Sequence, residues 1–294
     1  MTVVIQSGSA GRVRENPSRH VSLLTRRSRS NFYYSFLLLP RPQREAIFTV
    51  YAFCRTVDDA VDVERDPIVQ RRLLQAWRED LGRCFGGAPV HPVARGLAEV
   101  VTAFRIPRVY LEEILNGLEM DITKNRYETF EELRPYCYRV ASVVGLTCLR
   151  LFGCREGEAD EYAVNLGLAL QLTNIIRDIR SDAERGRIYL PRQEMVRFGY
   201  SEEDLLASRY TPAFVALMAY QGARAREHFD RARAAFPREA RRRLVAAEVM
   251  GGIYRWLLST IEVQRYHVFD GPIRVSTARR AWIALRCWAR ARFF

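Results

Sequence analysis

Residues 158–182 constrain the fold of this chain more than any other segment. They have the periodicity of one long helix whose middle is apolar on several faces. A helix that is apolar all round must be surrounded by protein, so we predict that it lies at the centre of the domain. Its apolar middle contains Leu166, Leu168, Leu170 and Leu172. Acidic side chains follow toward residue 182, where burial is costly unless the charges are paired or bind a metal ion.

The rest of the chain has the pattern of further helices separated by proline and glycine breakers. The sequence shows no strand alternation, no repeat of fixed period and no Gly/Ser linker between domains. We therefore predict an all-α, single-domain helical bundle. The other predicted helices cover residues 43–63, 67–85, 92–104, 107–125, 130–134, 136–152, 201–208, 211–236, 237–266 and 276–294. Residues 1–27 are a predicted loosely ordered lead-in, 28–275 the helical domain and 276–294 a C-terminal helix.

The composition is basic, with 46 Lys+Arg against 34 Asp+Glu in 294 residues and a net charge of +12. Such a surplus is typical of nucleic-acid binding, but here the charge is spread along the chain and no recognised nucleic-acid motif is present. All the cations except Lys124 are arginines, which suggests a compositional bias. A third interpretation is that some arginines bind phosphate groups, which suit the fork geometry of guanidinium. We therefore expect no nucleic-acid partner.

Three further patterns bear on the location of the protein. No apolar run is long enough to span a membrane, and the N-terminus lacks the pattern of a secretory signal. The six cysteines include no C-x-x-C pair, so they are interpreted as reduced thiols. We expect a cytoplasmic protein.

The first acidic motif lies at the C-terminal end of the predicted helix 43–63. Asp58 and Asp62 are four residues apart, so their side chains share one helical face. Like charges repel there, and the C-terminal end of a helix is unfavourable for anions. The motif therefore predicts a cation beside the two carboxylates. Ligands that are all oxygen favour Mg²⁺ or Mn²⁺ over zinc.

The second acidic motif lies on the central helix. Asn174, Asp178 and Asp182 are spaced four residues apart, which makes another stripe of oxygen ligands on one face. Gln171 lies about one turn earlier on nearly the same face. Each stripe alone is almost equally well explained as a solvated or arginine-paired face, but two such stripes on apolar helices favour metal binding. Mg²⁺ is usually shared with substrate phosphates, so the pair predicts a site for a diphosphate. Its positive counterparts would be Arg55, Arg177, Arg185 and Arg187.

With these motifs in view, the chain resembles the squalene/phytoene synthase family over about residues 28–266. The resemblance rests on several long motifs in the same order, which makes it more specific than a lone acidic pair. They are residues 32–36 (FYYSF) before Leu39 and Pro40, 51–55 (YAFCR), 136–141 (YCYRVA) with Val144 and Gly145, 170–174 (LQLTN) with Arg177 and Asp178, and 186–191 (GRIYLP).

The resemblance implies an isoprenoid-synthase bundle with a central active-site cavity, and Mg²⁺-dependent head-to-head condensation of two prenyl diphosphates. The metal ligands that it implies are Asp58, Asp62, Asn174, Asp178 and Asp182. The implied catalytic set is Asp58, Asp62, Asp178, Asp182, Tyr51 and Gln171. The implied substrate-binding set is Arg55, Arg177, Asn174, Tyr189, Phe32, Tyr136, Val140, Ala141, Gly145 and Tyr254. One departure is Ser181, which stands where the family commonly has an acid.

The sequence leaves open which kind of enzyme within the family this chain resembles most. Residues 33–40 and 281–286 look most like the bacterial presqualene diphosphate synthases of the hopanoid pathway, which act on farnesyl diphosphate. The alternative is a phytoene or dehydrosqualene synthase of carotenoid biosynthesis. NADPH is not expected as a cofactor, because the reductive members typically carry a C-terminal membrane anchor that this sequence does not show. A non-catalytic assembly factor ranks lower, because both acidic motifs are complete.

The predicted C-terminal helix is amphipathic. Its apolar residues recur at spacings of three and four, and its arginines at 279, 286 and 290 fall on the other side. The apolar set is Ala278, Ala281, Trp282, Leu285, Trp288, Ala289 and Phe293. Such a helix either lies on an anionic membrane surface, here the inner face of the membrane, or packs on the bundle. The sequence leaves both interpretations open.

Overall fold

The computed structural model describes residues 35–64, 66–271 and 273–293, and within these ranges the chain forms helices joined by short loops, without strands. The helices in chain order are α1 Arg41–Val63, α2 Pro67–Cys84, α3 Pro92–Phe104, α4 Arg108–Thr123, α5 Phe130–Cys137, α6 Val143–Leu151, α7 Asp160–Glu184, α8 Arg192–Arg197, α9 Glu202–Leu206, α10 Pro212–Ala234, α11 Val245–Val263 and α12 Thr277–Phe293. A π-helical turn, Tyr138–Ser142, joins α5 to α6, and a 3₁₀ turn, Arg238–Ala240, lies before α11. The all-α prediction is confirmed. None of the described helices is long and apolar enough to cross a membrane.

Helix α7 lies at the centre of the bundle, as its apolar pattern predicts. It packs against α5, α6, α9, α10, α11 and the π-helical turn. Leu166, Leu168, Leu172 and Ile176 are all buried, although they point in different directions around the helix. The polar side chains from Gln171 to Asp182 lie on a part of α7 that these helices leave open to a cavity.

The π-helical turn approaches α7 so closely that only glycine fits between them. A Cβ atom at Gly167 would stand 2.5 Å from the Cα of Ser142 and 2.6 Å from its backbone nitrogen. On the opposite side, a Cβ at Gly117 of α4 would stand 2.7 Å from a methyl group of Val140. The turn is therefore clamped between two glycines, which fixes the segment that begins at Tyr136.

We predict that Gly167→Ala destabilises the protein because the backbone of the π-helical turn cannot yield as a flexible side chain would. Overpacking of this kind costs about 1–3 kcal/mol. The measurement is the urea midpoint of unfolding. Gly82→Ala on α2 is the matched control, since its added methyl group would only touch the end of an arginine side chain at 3.9 Å. A midpoint for Gly167→Ala equal to that of the control would contradict the close packing.

Two predicted helix boundaries were wrong, and one short helix was not predicted. The break expected at Pro135 is absent, since α5 runs through this proline to Cys137. The proline removes only the hydrogen bond to the carbonyl of Glu131, a residue exposed to water. The helix predicted from residue 237 begins only at Val245, because an arginine-rich stretch forms turns first. Helix α8 was missed, as its six residues are too few to show a period.

The predicted lead-in, residues 1–27, lies outside the described residues, and so does Phe32. The first described residues of the bundle are Ser35 and Phe36, and both are buried.

Candidate active site

A cavity of about 1200 Å³ runs along α7 from Tyr162 to Asp182 and is also bounded by α1, α4, α5, α6 and α11. Apolar side chains line much of it, together with carboxylates and arginines. With Phe32 outside the description, all the other predicted site residues lie in its wall. They are Tyr51, Arg55, Asp58, Asp62, Tyr136, Val140, Ala141, Gly145, Gln171, Asn174, Arg177, Asp178, Asp182, Tyr189 and Tyr254. Helices distant in sequence thus bring both acidic motifs into one chamber.

The carboxylates of the first motif are held by arginines from two directions. Arg55 lies one turn before the acids on α1, with its Nη1 3.4 Å from Asp58 Oδ2 and its Nη2 2.6 Å from Asp59 Oδ1. Arg187 reaches across from the loop after α7, and its Nη1 donates to Asp62 Oδ1 at 2.8 Å. Arg185 lies 3.6 Å from the other oxygen of Asp62. The loop after α7 therefore closes over the end of α1 through charge pairing.

The second motif is less fully neutralised. Arg177 pairs with the adjacent Asp178 through both Nε, at 2.7 Å, and Nη2. Asp182 lies one turn further and forms no ion pair among the described residues. Burial, followed by repulsion from Asp178, raises the pKa of Asp182 to about 7. The surroundings of Asp182 therefore favour its protonated form unless a cation binds next to the carboxylate.

Asp58 of the first motif is in a similar position. Its burial, followed by repulsion from Asp62, raises the pKa of its carboxyl group to about 6, although Arg55 lies nearby. Two carboxylates on different helices thus resist ionisation in the same cavity. A divalent cation between the stripes would relieve this repulsion.

The donor set fits a magnesium ion, although no three carboxylate, His or Cys side chains among the described residues converge on one point. The arginine pairs explain this, because they draw Asp62 and Asp178 toward guanidinium groups. The most telling atom is Asn174 Oδ1, which is buried and has no hydrogen-bond partner in the described structure. The amide nitrogen of Asn174 donates to Gln171 Oε1 at 3.3 Å, which turns the unpartnered oxygen away from Gln171. Carboxylate and amide oxygens in a cavity are ligands that Mg²⁺ accepts.

We predict that Asp182→Asn stabilises the metal-free protein above neutral pH. The folded-state pKa of about 7 lies above the reference value of 3.8, so ionisation is penalised only in the folded state. That penalty is absent at low pH, grows from 3.8 toward 7 and is complete above it. Because Asp182 is only partly buried and solvent screens its charge, we expect an effect of about 1 kcal/mol and a Tm gain of about 2–4 °C.

The measurement is thermal unfolding in EDTA over that pH range. The Tm difference between Asp182→Asn and the parent protein should shrink toward zero at acidic pH. Asp270→Asn, at an exposed carboxylate, is the control for a general loss of negative charge. A Tm difference that is independent of pH would contradict the assigned repulsion.

Asp121 on α4 is a cavity residue that sequence reasoning did not assign. Its two oxygens accept hydrogen bonds from phenols, from Tyr189 at 2.7 Å and from Tyr136 at 3.1 Å. The rings of Tyr136 and Tyr189 stack with their centroids 4.9 Å apart. Burial raises the pKa of Asp121 to about 6, which the nearby Arg187 partly opposes. Helical spacing alone is compatible with either a cavity or a surface position for this residue.

The stretch that leads into α12 also lines the cavity. Its lining residues are Ile273, Arg274, Val275, Thr277 and Arg280. This segment is far from the acidic motifs in sequence and carries no motif of its own, so no local signal predicts its position. The C-terminal helix therefore starts at the edge of the site.

Known proteins resemble this chain over most of its length. Residues 25–281 match the family model described as squalene/phytoene synthase. The chain is similar to the 15-cis-phytoene synthase of Synechococcus elongatus, with 35% identity over 271 residues and 87% of each chain covered. It is similar to the presqualene diphosphate synthase of Rhodopseudomonas palustris, with 37% identity over 258 residues, covering 87% of this chain and 92% of that one.

Two solved structures share the fold. A dehydrosqualene synthase superposes with a TM-score of 0.84 at 30% identity, covering 95% of this chain and 98% of the other. A squalene synthase from Alicyclobacillus acidocaldarius superposes with a TM-score of 0.76 at 32% identity, covering 85% and 94%. The likeness covers the whole bundle around the cavity.

Proposed function

Because this chain belongs to the squalene/phytoene synthase family, we propose that it joins two farnesyl diphosphates head to head to form presqualene diphosphate. Membership of the family makes the chain a prenyltransferase that condenses prenyl diphosphates. The choice of substrate and the point at which the reaction stops are the proposed part. The observation that carries the proposal is the meeting of two acidic stripes and four arginines in the wall of one largely apolar cavity.

The arginines are placed to bind a diphosphate. Arg55, Arg177, Arg185 and Arg187 all line the cavity next to the acidic stripes. Guanidinium groups bind phosphate oxygens through paired hydrogen bonds, and each of these arginines already pairs with a carboxylate. We infer that a diphosphate takes over part of this pairing when it binds, which frees the carboxylates for metal ions.

Asp58, Asp62, Asn174, Asp178 and Asp182 would hold those ions. Members of the family typically depend on a divalent metal, and Mg²⁺ fits the oxygen ligands here, with Mn²⁺ as an alternative. The metal supplies Lewis-acid stabilisation to the departing diphosphate.

The apolar wall of the cavity suits the hydrocarbon part of the substrates. An allylic cation left by loss of diphosphate reacts with water unless the site is dry. Leu166 and Leu170 of α7 contribute to the wall beside Gln171. Tyr51 and Tyr136 add aromatic rings, whose faces attract a cation. These residues would bind and shield the reacting carbons, while the arginines hold the charged ends.

Presqualene diphosphate as the product is supported by relatives whose named products contain thirty carbon atoms (C30). The presqualene diphosphate synthase of Rhodopseudomonas palustris is 37% identical, and the two solved structures are named for C30 products, dehydrosqualene and squalene. The phytoene synthases at 35% identity favour the alternative of a C40 product from geranylgeranyl diphosphate. A non-catalytic role is disfavoured by the complete set of acids and arginines in the cavity.

The test is product identification by mass spectrometry. The purified protein is incubated with Mg²⁺ and either farnesyl or geranylgeranyl diphosphate, with and without NADPH. We expect presqualene diphosphate from farnesyl diphosphate, unchanged by NADPH. Phytoene from geranylgeranyl diphosphate as the main product would instead establish the alternative, and a product that changes to squalene with NADPH would contradict the proposed end point.

A further inference from the structure

The outward face of α12 carries large apolar side chains that the described chain leaves uncovered. Trp282, Leu285 and Phe293 are exposed to 57%, 55% and 70%. The steps of three, four and four residues from Trp282 through Leu285 and Ala289 to Phe293 place these four on one stripe. We call them the outer stripe. No described residue of α12 is buried, so the helix rests on the surface of the bundle.

The helix is docked through other residues. Ile283, Ala284 and Cys287 pack against the core. Ile283 comes so close to α11 that a Cβ on Gly252 would stand 2.8 Å from its Cγ2 atom. The guanidinium of Arg279 lies 5.5 Å from the ring centre of Trp256. Because these contacts hold the helix, the outer stripe is not needed for folding.

The charge of α12 is entirely positive. The helix contains five arginines, at positions 279, 280, 286, 290 and 292, and no acidic residue. Arg286, Arg290 and Arg292 form no ion pair with the described part of the chain. An apolar stripe flanked by cations matches the boundary of an anionic bilayer, where acyl chains meet charged headgroups. Tryptophan is a preferred residue at this boundary.

We propose that α12 lies flat on an anionic lipid bilayer, with the outer stripe at the level of the headgroups and the arginines on lipid phosphates. A second copy of the chain is a poorer occupant. An isologous contact would place the same arginines against one another without any acid on the helix to neutralise them. An anionic bilayer can both bury the outer stripe and neutralise the arginines of α12.

The position of α12 links this surface to the cavity. Residues 273–275, Thr277 and Arg280 line the cavity, and the helix that they open carries the outer stripe. Bilayer contact through α12 would therefore set this edge of the cavity next to lipid. If the proposed function holds, prenyl chains of substrate and product would move between cavity and bilayer along this edge with little exposure to water. Membrane binding does not depend on the reaction. The vesicle experiment can therefore fail while the proposed function holds, and the reverse.

The experiment is cosedimentation of the full chain with vesicles of phosphatidylcholine, with and without phosphatidylglycerol. We expect at least about tenfold stronger partitioning to the anionic vesicles, because the arginines of α12 are attracted to the negatively charged headgroups. The double variant Trp282→Ser/Leu285→Ser should lose about tenfold or more of this partitioning. Added salt should weaken the binding of the parent protein.

The matched control is Val196→Ser/Leu206→Ser, which removes two apolar side chains that are exposed to 71% and 55% on other helices. Its binding should equal that of the parent protein. Unchanged binding of the Trp282→Ser/Leu285→Ser variant would overturn the proposal. So would a parent protein that ignores vesicles but forms a dimer dissolved by this double variant, since the outer stripe would then be an interface between copies.

Discussion

Replacing Asp178 with Asn is expected to lower turnover with Mg²⁺ by at least about a thousandfold. The change keeps the size of the side chain but removes the charge from the middle of the second acidic stripe. A loss of about 4 kcal/mol of electrostatic stabilisation of the departing diphosphate corresponds to about this factor. Because Asp178 pairs with Arg177 on the same helix, the substitution also leaves that arginine without its carboxylate.

A second readout separates metal binding from catalysis. Mg²⁺ together with inorganic diphosphate should raise the Tm of the parent protein, because a ligand that binds only the folded state stabilises it. The same addition should leave the Tm of Asp178→Asn nearly unchanged. Glu184→Gln is the matched control, since Glu184 lies further along α7, is exposed and pairs with Arg180 away from the cavity. Full activity and a full Tm shift in Asp178→Asn would refute the metal assignment.

Replacing Asp121 with Asn is expected to lower turnover by about tenfold to a hundredfold, the range typical of losing a group that orients functional side chains. The carboxylate accepts from both Tyr136 and Tyr189, whereas an amide offers one acceptor oxygen and a donor in place of the other. One phenol must therefore accept from the amide nitrogen instead of donating to the carboxylate, and its hydroxyl hydrogen must reorient. The stability of the variant should not fall, because burial already disfavours the charged form of Asp121.

The measurement that isolates this positioning role is a double-mutant cycle. If Asp121 acts through Tyr189, the turnover of Asp121→Asn combined with Tyr189→Phe should fall little below that of the worse single variant. Tyr127→Phe is the control, since the Tyr127 hydroxyl group is buried and finds no hydrogen-bond partner among the described residues, while its ring stacks on Tyr189. Losses that multiply in the double variant would show that the two residues act independently.

The central part of the fold follows from the sequence because its signals are local. The all-round apolar character of residues 166–172 predicts the central helix. The four-residue spacing in each acidic motif predicts which oxygens share a face, and both faces line the cavity. Periodicity and spacing act within one helix, so a single sequence is enough to read them.

Contacts between distant segments could not be read in this way. Arg187 and Asp62 are 125 residues apart, and only the packed bundle shows that they pair. Asp121 is equally compatible with cavity and surface until the tyrosines of other segments are placed around it. For α12 the sequence shows the apolar stripe, but the docking residues Ile283, Ala284 and Cys287 form a second apolar face. Which face points inward depends on the shape of α11 beneath it.

In the proposed reaction, one cavity joins two prenyl diphosphates. The most direct measurement uses an equal mixture of unlabelled and fully deuterated farnesyl diphosphate with Mg²⁺, followed by mass spectrometry of the product. We predict three mass populations, carrying no labelled half, one or both, with the mixed species the most abundant. One diphosphate should be released for each presqualene diphosphate formed. A product that contains a single farnesyl unit, with no mixed species, would show that this cavity does not join two prenyl diphosphates.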